Sequence, residues 1–353
     1  MGVQLTVVVP VYAVEDFLVA CLDSIRAGLS PEENAAVEVI AVDDASPDRC
    51  GAMLDAYAAE HGTVRVLHLS SNVGLGLARN AGLAEATGRY VWFVDSDDQL
   101  PPGSIRAVLD RLRETEPDVL LVDHLREHED GRLQTDASSP LLAGEPSLDR
   151  LLGVQHTAWN RIIRRGLLIE NELWFRAGWY EDIPFSNPVL IAADRVDVLN
   201  RVCYHYRIGR PGAITATRSE RHFEAFDQYD ALHRWLDRND TPPAVRLRMF
   251  TLMVNHLLVV AGNDSRMHAR FRRPFFRRIA EQYRRHRPAG HRSPSGSAGI
   301  KHRLVAANSY ALYSAVRAGY RLAGLRRRPT ERPPLVSQDT PVSSRPVQTS
   351  SLR

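Results

Sequence analysis

The chain has 353 residues, 44% hydrophobic and 25% charged, with a formal net charge of +3, which suits about two soluble globular domains. Cys21, Cys50 and Cys203 are odd in number and lack Cys-x-x-Cys spacing, which argues against a disulfide framework and for reduced thiols in a cytosolic setting. No basic stretch precedes the first apolar run, so no signal peptide is expected. Runs such as 257–262 fall short of a membrane span.

Residues 4–11 read Gln-Leu-Thr-Val-Val-Val-Pro-Val, the continuous apolar pattern of a strand buried on both faces. Phe17, Leu18, Cys21, Leu22 and Ile25 follow at helical spacing over 15–26. A second strand at 37–42 ends in Asp43-Asp44-Ala45-Ser46, and a helix through Met53, Leu54 and Tyr57 leads to a third strand at 64–69. Asn72-Val73-Gly74 opens a helix over 75–86 that Thr87-Gly88 stops. Tyr90-Val91-Trp92-Phe93-Val94 then runs straight into Asp95-Ser96-Asp97-Asp98. After Pro101-Pro102 come a helix through Ile105, Val108 and Leu112 and a strand at 119–122. Strands alternating with helices predict an α/β fold, a three-layer α/β/α arrangement around a mostly parallel sheet.

From His124 to about Arg210 the rhythm loosens. Glu129-Asp130-Gly131-Arg132 reads as a hairpin turn, and helical patches surround Trp159-Asn160-Arg161 and Glu181-Asp182-Ile183-Pro184-Phe185. The C-terminal part is α-helical: a helical region over 216–286, a linker over 287–300, a basic amphipathic helix over 301–328 and a disordered tail over 329–353. Residues 266–328 hold 17 Lys+Arg against one acid, Glu281, so a basic arm follows an acidic body. Such asymmetry speaks of partners rather than of fold. The arm suits an anionic lipid surface or an anionic polymer, or is simply a solvated pair of helices; an acidic body makes nucleic acid a poor partner.

The chemistry gathers at strand ends. In an open α/β sheet, ligands bind outside the carboxyl ends of the strands, and both acidic clusters fall there. Asp43-Asp44 alone could cap the next helix, and Asp95-x-Asp97-Asp98 alone could be a loop with a cap. Together on one edge they fit a nucleotide and a divalent cation, which relieves the mutual repulsion of close carboxylates. Tyr12 can stack on a planar base beside an acid that accepts its N–H. Gly74 and Gly76 let backbone approach a ligand at a helix start, and Arg79 offers a fixed cation one turn in. The Gly-x-Gly-x-x-Gly spacing of a dinucleotide site and the Gly-x-x-x-x-Gly-Lys of a phosphate loop are both missing. His124 and His128 have metal-ligand spacing only for a helix, and their context is a strand and hairpin.

Four ordered motifs, Val9-Pro10-Val11-Tyr12, Val42-Asp43-Asp44-Ala45-Ser46, Asn72-x-Gly74…Ala78-Arg79-Asn80-x-Gly82 and Asp95-Ser96-Asp97-Asp98, resemble the family-2 glycosyltransferases of GT-A fold. The likeness covers roughly residues 3–210 and is strongest to bacterial enzymes that build or decorate capsules, exopolysaccharides and teichoic acids. Ala13 stands where Asn is usual and Ala45 where Gly is usual. The resemblance implies a catalytic domain over 1–215 and an inverting, metal-dependent transfer from a nucleotide diphosphate sugar, most often of uridine, to a glycan, polyol-phosphate or lipid-linked acceptor. It implies that Pro10, Tyr12, Asp43 or Asp44, Asn72 and Arg79 bind the nucleotide, that Asp95 meets the ribose or metal, and that Asp97, with Asp98, holds Mg²⁺ or Mn²⁺. Trp179-Tyr180-Glu181-Asp182 matches the motif that supplies the base, Asp182 with Glu181 as neighbour or alternative. Arg207 or Arg210, in an aromatic-basic segment that begins at Tyr204, would pair with the diphosphate. A sugar nucleotidyltransferase of the same fold would need a glycine-rich loop after the first strand, which Pro10-Val11-Tyr12-Ala13 does not provide. A catalytically inactive polymer- or membrane-binding scaffold is the rival from another class. The expected location is cytoplasmic, including the cytoplasmic membrane face.

Overall fold

The computed structural model describes residues 2–128, 130–138, 148–209, 217–326 and 347–348. The chain divides into two compact units, one of residues 1–213, 228–239 and 344–353, the other of 214–227 and 240–343.

Among the described residues the first unit is built on one sheet of nine strands: β1 (Leu5–Val11), β2 (Val37–Asp43), β3 (Val64–His68), β4 (Tyr90–Phe93), β5 (Val119–Glu127), β6 (Leu133–Asp136), β7 (Arg161–Arg164), β8 (Arg195–Arg207) and β9 (Val347–Gln348). Their order is β3-β2-β1-β4-β7-β5-β8-β9, with β6 paired to β5. β1 pairs in parallel with β2 and β4, and β2 with β3. β7 lies antiparallel to both β4 and β5, and β5 is parallel to β8. Two reversals restore direction, so β3, β2, β1, β4, β5 and β8 present their carboxyl ends along one edge.

Every residue of β1, β2 and β4 is buried, as the unbroken apolar runs require of strands covered on both faces. Helices α1 (Leu18–Arg26), α2 (Pro31–Ala35), α3 (Cys50–Glu60), α4 (Leu75–Glu85) and α5 (Ser104–Thr115) cover the sheet. Short α2 begins at a capping box, Ser30 with Glu33. α4 lies against β1 and β2 at Gly82, where a side-chain carbon would come within 2.4 Å of Val8, so glycine there fixes the depth of the helix.

Further on come α6 (Leu148–Leu151), α7 (Arg165–Glu170), which packs on β7, and α8 (Ile183–Ala192). Trp159-Asn160-Arg161, expected in a helical patch, instead leads into a strand: Arg161-Ile162-Ile163-Arg164 pairs on both sides and buries its two isoleucines. The hairpin is present as β5–β6; Glu129 lies outside the described residues.

In the second unit, α10 (Pro243–Gly262) and α11 (Ala269–His286) are followed by α12 (Gly296–Ala306) and α13 (Tyr310–Arg326). α9 (Glu224–Arg238) starts in this unit and ends in the first. Phe250 of α10 meets Tyr283 of α11 at 4.9 Å between ring centroids, within a core that includes Met249, Met253, Phe275 and Ile279. Two expectations are corrected. The span read as linker and one long helix holds two helices broken at Asn308, whose positive φ of 50° ends α12. Among the described residues one helix, Pro243–Gly262, is long and apolar enough to cross a membrane by length and composition, and half of that stretch is buried inside the protein. Its alternation of Val245, Met249, Met253 and Leu257 toward the core is that of a core helix. Of the tail, only Val347–Gln348 is described, paired with Arg195 and Val196; the expectation of disorder otherwise falls outside the described residues.

Candidate active site

The sheet edge is assembled from loops tied to one another by side chains. Pro10 is buried in β1 opposite Val42, and Tyr12, just past the strand, is 46% exposed. Ser46 Oγ accepts from the Ala13 backbone N–H at 2.8 Å and donates to Asp48 at 2.6 Å, which joins the loop after β1 to that after β2. Both residues that depart from the family pattern, Ala13 and Ala45, have positive φ, 52° and 53°. Side-chain carbons crowd the carbonyl there.

Neither Asp43 nor Asp44 caps a helix. Asp43 accepts from the Ser46 N–H at 2.9 Å and pairs with His68 Nδ1 at 2.9 Å. The other ring nitrogen of His68 lies 3.0 Å from Asp55, and the two carboxylates hold this imidazole above its usual pKa. Asp44 accepts from the backbone N–H groups of Val73 (2.7 Å) and Gly74 (2.9 Å). It thereby shapes the exposed Asn72 loop and the left-handed Gly74, φ 89°, from which α4 starts. His68 was not singled out in the sequence, though a histidine at a strand end level with Asp43 is the available signal.

Arg79, in the second turn of α4, is 1% exposed. One end of its guanidinium donates to Asp95 at 2.6 Å, the other to Glu181 at 2.8 Å and Asp182 at 3.1 Å. Three stretches of sequence meet on one planar cation, the arrangement for which arginine is suited and lysine is not. Burial pulls the guanidinium pKa down, but its three carboxylate neighbours outweigh that and raise it. Gly76 allows this approach, since a side-chain carbon there would lie 2.6 Å from the Arg176 carbonyl and 3.0 Å from Glu181.

The aspartates after β4 diverge. Asp95 faces Arg79, its backbone N–H held by the Tyr204 hydroxyl at 3.1 Å. Asp98 is 1% exposed and accepts from the Tyr204 O–H and the Arg207 N–H, each at 2.8 Å. Burial and the charges of Asp97 and Asp95 push its pKa well up. It is not a helix cap, for α5 starts from Gly103. Arg207 Nη1 donates to the Asp97 carbonyl at 3.1 Å and its guanidinium lies 4.9 Å from the centre of the Phe17 ring. Arg210 lies outside the described residues. Asp97 is part-exposed. Magnesium accepts one or two carboxylates and completes its shell from phosphates and water; Asp97 is the more open carboxylate of this cluster, since Asp95 faces Arg79 and Asp98 is held by Tyr204 and Arg207. Among the described residues there is no preformed group of three His, Cys, Asp or Glu around a metal position.

Glu181 and Asp182 stand just before α8, yet their environments differ. The Glu181 side chain is 5% exposed and that of Asp182 24%. Burial, then the neighbouring Asp182, pushes the Glu181 carboxyl up to about 8, against the pull of Arg79. Asp182 is raised by burial too, while Arg79, Arg161 and the Ala158 N–H favour its ionised form. Asp182 is thus the more open carboxylate of the two and Glu181 the more enclosed. The 155–161 segment was under-read in sequence. Trp159 is buried, its carbonyl taking the Trp92 indole N–H at 2.7 Å, and Arg161 is fully buried too. His124, packed edge-on to Trp159 at 4.6 Å, is a core histidine.

The model of the glycosyl transferase family 2 matches residues 6–169. The uncharacterized glycosyltransferase EpsJ of Bacillus subtilis (strain 168) is 30% identical over 223 residues, 60% of this chain and 62% of that protein. The poly(ribitol-phosphate) beta-N-acetylglucosaminyltransferase TarS of Staphylococcus aureus (strain Mu50) is 28% identical over 59% of this chain and 36% of its own length. The chain thus matches less than two thirds of either relative. The crystal structure of S. aureus TarS 1-349 in complex with UDP-GlcNAc superposes with a TM-score of 0.72 at 21% identity, over 91% of this chain and 92% of the other. That likeness is one of fold, the GT-A type.

Proposed function

We propose that this chain, whose residues 6–169 are a glycosyl transferase family 2 domain, transfers a sugar with inversion from a nucleotide diphosphate sugar, uridine diphosphate being the favoured carrier, to an acceptor hydroxyl. The observation that carries the reading is the Arg79 hub, which ties Asp95 on the donor side to Glu181 and Asp182 on the acceptor side.

Donor binding falls to Pro10, Tyr12, Asp43, Asp44 and Asn72 around the base, and to Asp95 beside the ribose. Arg207 lies next to Asp97 and pairs with the diphosphate. Asp97 would hold Mg²⁺ or Mn²⁺ there; such an ion, when bound, neutralises charge on the departing diphosphate. Asp98 is better employed as the anchor of β8. Asp182 takes the acceptor proton as the hydroxyl attacks the anomeric carbon, and the carbon–phosphate oxygen bond breaks with its electrons going to the diphosphate. One base suffices for inversion, and a positioned base contributes about 10²–10⁴-fold.

A cell-surface glycan or polyol-phosphate polymer is the acceptor we favour. The likeness to proteins named poly(ribitol-phosphate) transferases supports it, as do the exposed arginines of α11, Arg270, Arg273, Arg277 and Arg284, which suit an anionic polymer or an anionic lipid surface on the cytoplasmic membrane face. The test is a donor screen with and without Mn²⁺. Asp182→Asn should lower transfer by about 10²–10⁴-fold while leaving donor binding intact. Full activity of that variant, or of wild type in EDTA, would remove the base or the metal respectively.

A further inference from the structure

The geometry points to Arg161 as a positioning residue for the base: it fixes the first turn of α8 through the Ser186 carbonyl and supplies the second positive charge of the carboxylate cluster from beneath. This rests on the reading of Asp182 as base.

Arg161 is fully buried at the start of β7, yet it has no ion pair among the described residues. All its donors go to neutral oxygens: Ser186 O at 2.7 Å, Gln155 O at 2.7 Å and Asn160 Oδ1 at 3.0 Å. Burying a guanidinium against neutral partners costs stability unless a charge lies near. Asp182 is that charge: burial brings the Arg161 pKa down to about 10, and Asp182 opposes the fall. The groups that face Asp182 are Arg79 from α4, Asp95 after β4, its neighbour Glu181, and Arg161 with the Ala158 N–H from the segment before β7. Arg79 is shared among three carboxylates, so by itself it cannot balance them. Arg161 belongs to Asp182 more than to the others, because the turn it grips is the one that Asp182 begins: the Ser186 N–H donates to the Asp182 carbonyl at 2.8 Å.

The experiment measures kcat and donor KM against pH for wild type, Arg161→Met and Asn160→Asp. The second variant keeps the guanidinium and offsets its charge, and so serves if the first does not fold. Circular dichroism and thermal melting identify folded protein. Asp182→Asn is run beside them. The expected result is an acidic limb of kcat displaced upward by about one pH unit in both variants, since an opposite charge at close range lowers a carboxyl pKa by roughly 1–3 units, with donor KM within about twofold of wild type. A structural role alone would lower the melting temperature and kcat without moving the limb, and that outcome in a folded variant overturns the inference. If Asp182→Asn transfers sugar at the wild-type rate, the base assignment fails instead.

Discussion

Glu181→Gln tests the charge state of the cluster directly. In the wild type Glu181 is all but sealed and accepts from Arg79 at 2.8 Å, yet burial and Asp182 outweigh that attraction and hold its carboxyl at about 8 rather than the ordinary 4.5. A carboxyl whose folded pKa exceeds its unfolded one binds more protons in the folded state, so stability falls as pH rises. Its contribution is whole below about 4.5 and is lost as pH climbs through about 8. At about 1.4 kcal/mol per unit, that interval amounts to on the order of 5 kcal/mol, an upper bound because Asp182 shares the proton. Glutamine cannot ionise but keeps an oxygen for Arg79. The variant should therefore match wild type near pH 5 and exceed it by roughly 2–4 kcal/mol near pH 8.5. Urea unfolding across that range, followed by the fluorescence of buried Trp92 and Trp159, measures the difference. A difference that stays flat with pH would refute the reasoning.

Other expectations are simpler. Ala45→Gly relieves a left-handed alanine worth about 1–2 kcal/mol against about 0.5–1 kcal/mol of added chain freedom. The melting temperature should rise by a few degrees, and a fall would mean that the loop is not strained. Tyr204→Phe leaves buried Asp98 and the Asp95 N–H each short of one partner and should cost about 1–3 kcal/mol in denaturant unfolding; an unchanged midpoint would reject the anchor role of Asp98. Arg273, Arg277 and Arg284 changed together to Glu should abolish salt-sensitive binding to polyphosphate and to anionic vesicles. Retained binding to both would make this face of α11 merely solvated.

Much of the first unit was legible because its signals are local. Unbroken apolar runs set β1, β2 and β4, and the carboxylates at the ends of β2 and β4 mark the edge that ligands reach. What escaped is what depends on distant partners. Arg161-Ile162-Ile163-Arg164 is too short and too charged at its ends to announce a strand; it becomes one because β4 and β5 leave a place between them. The fate of Asp98 is decided by Tyr204 and Arg207, more than a hundred residues on, so no spacing rule could separate it from Asp97. The capping box at Ser30 and the helix break at Asn308 were readable signals that the broader pattern of the chain concealed.

The wiring of the sheet also bears on how the protein is made. β4 ends in the aspartate cluster, but its neighbour is β7, and β5 must wait for β8 at 195–207. During synthesis the aspartates therefore emerge long before their hydrogen-bond donors, and pairings so far apart in sequence close slowly. A fragment cut at residue 169, where the family match ends, would carry Asp98 without Tyr204, Arg79 without Glu181, and an open edge on β5. Such a piece should be trapped by chaperones or aggregate, whereas one that extends past Arg207 can close its sheet.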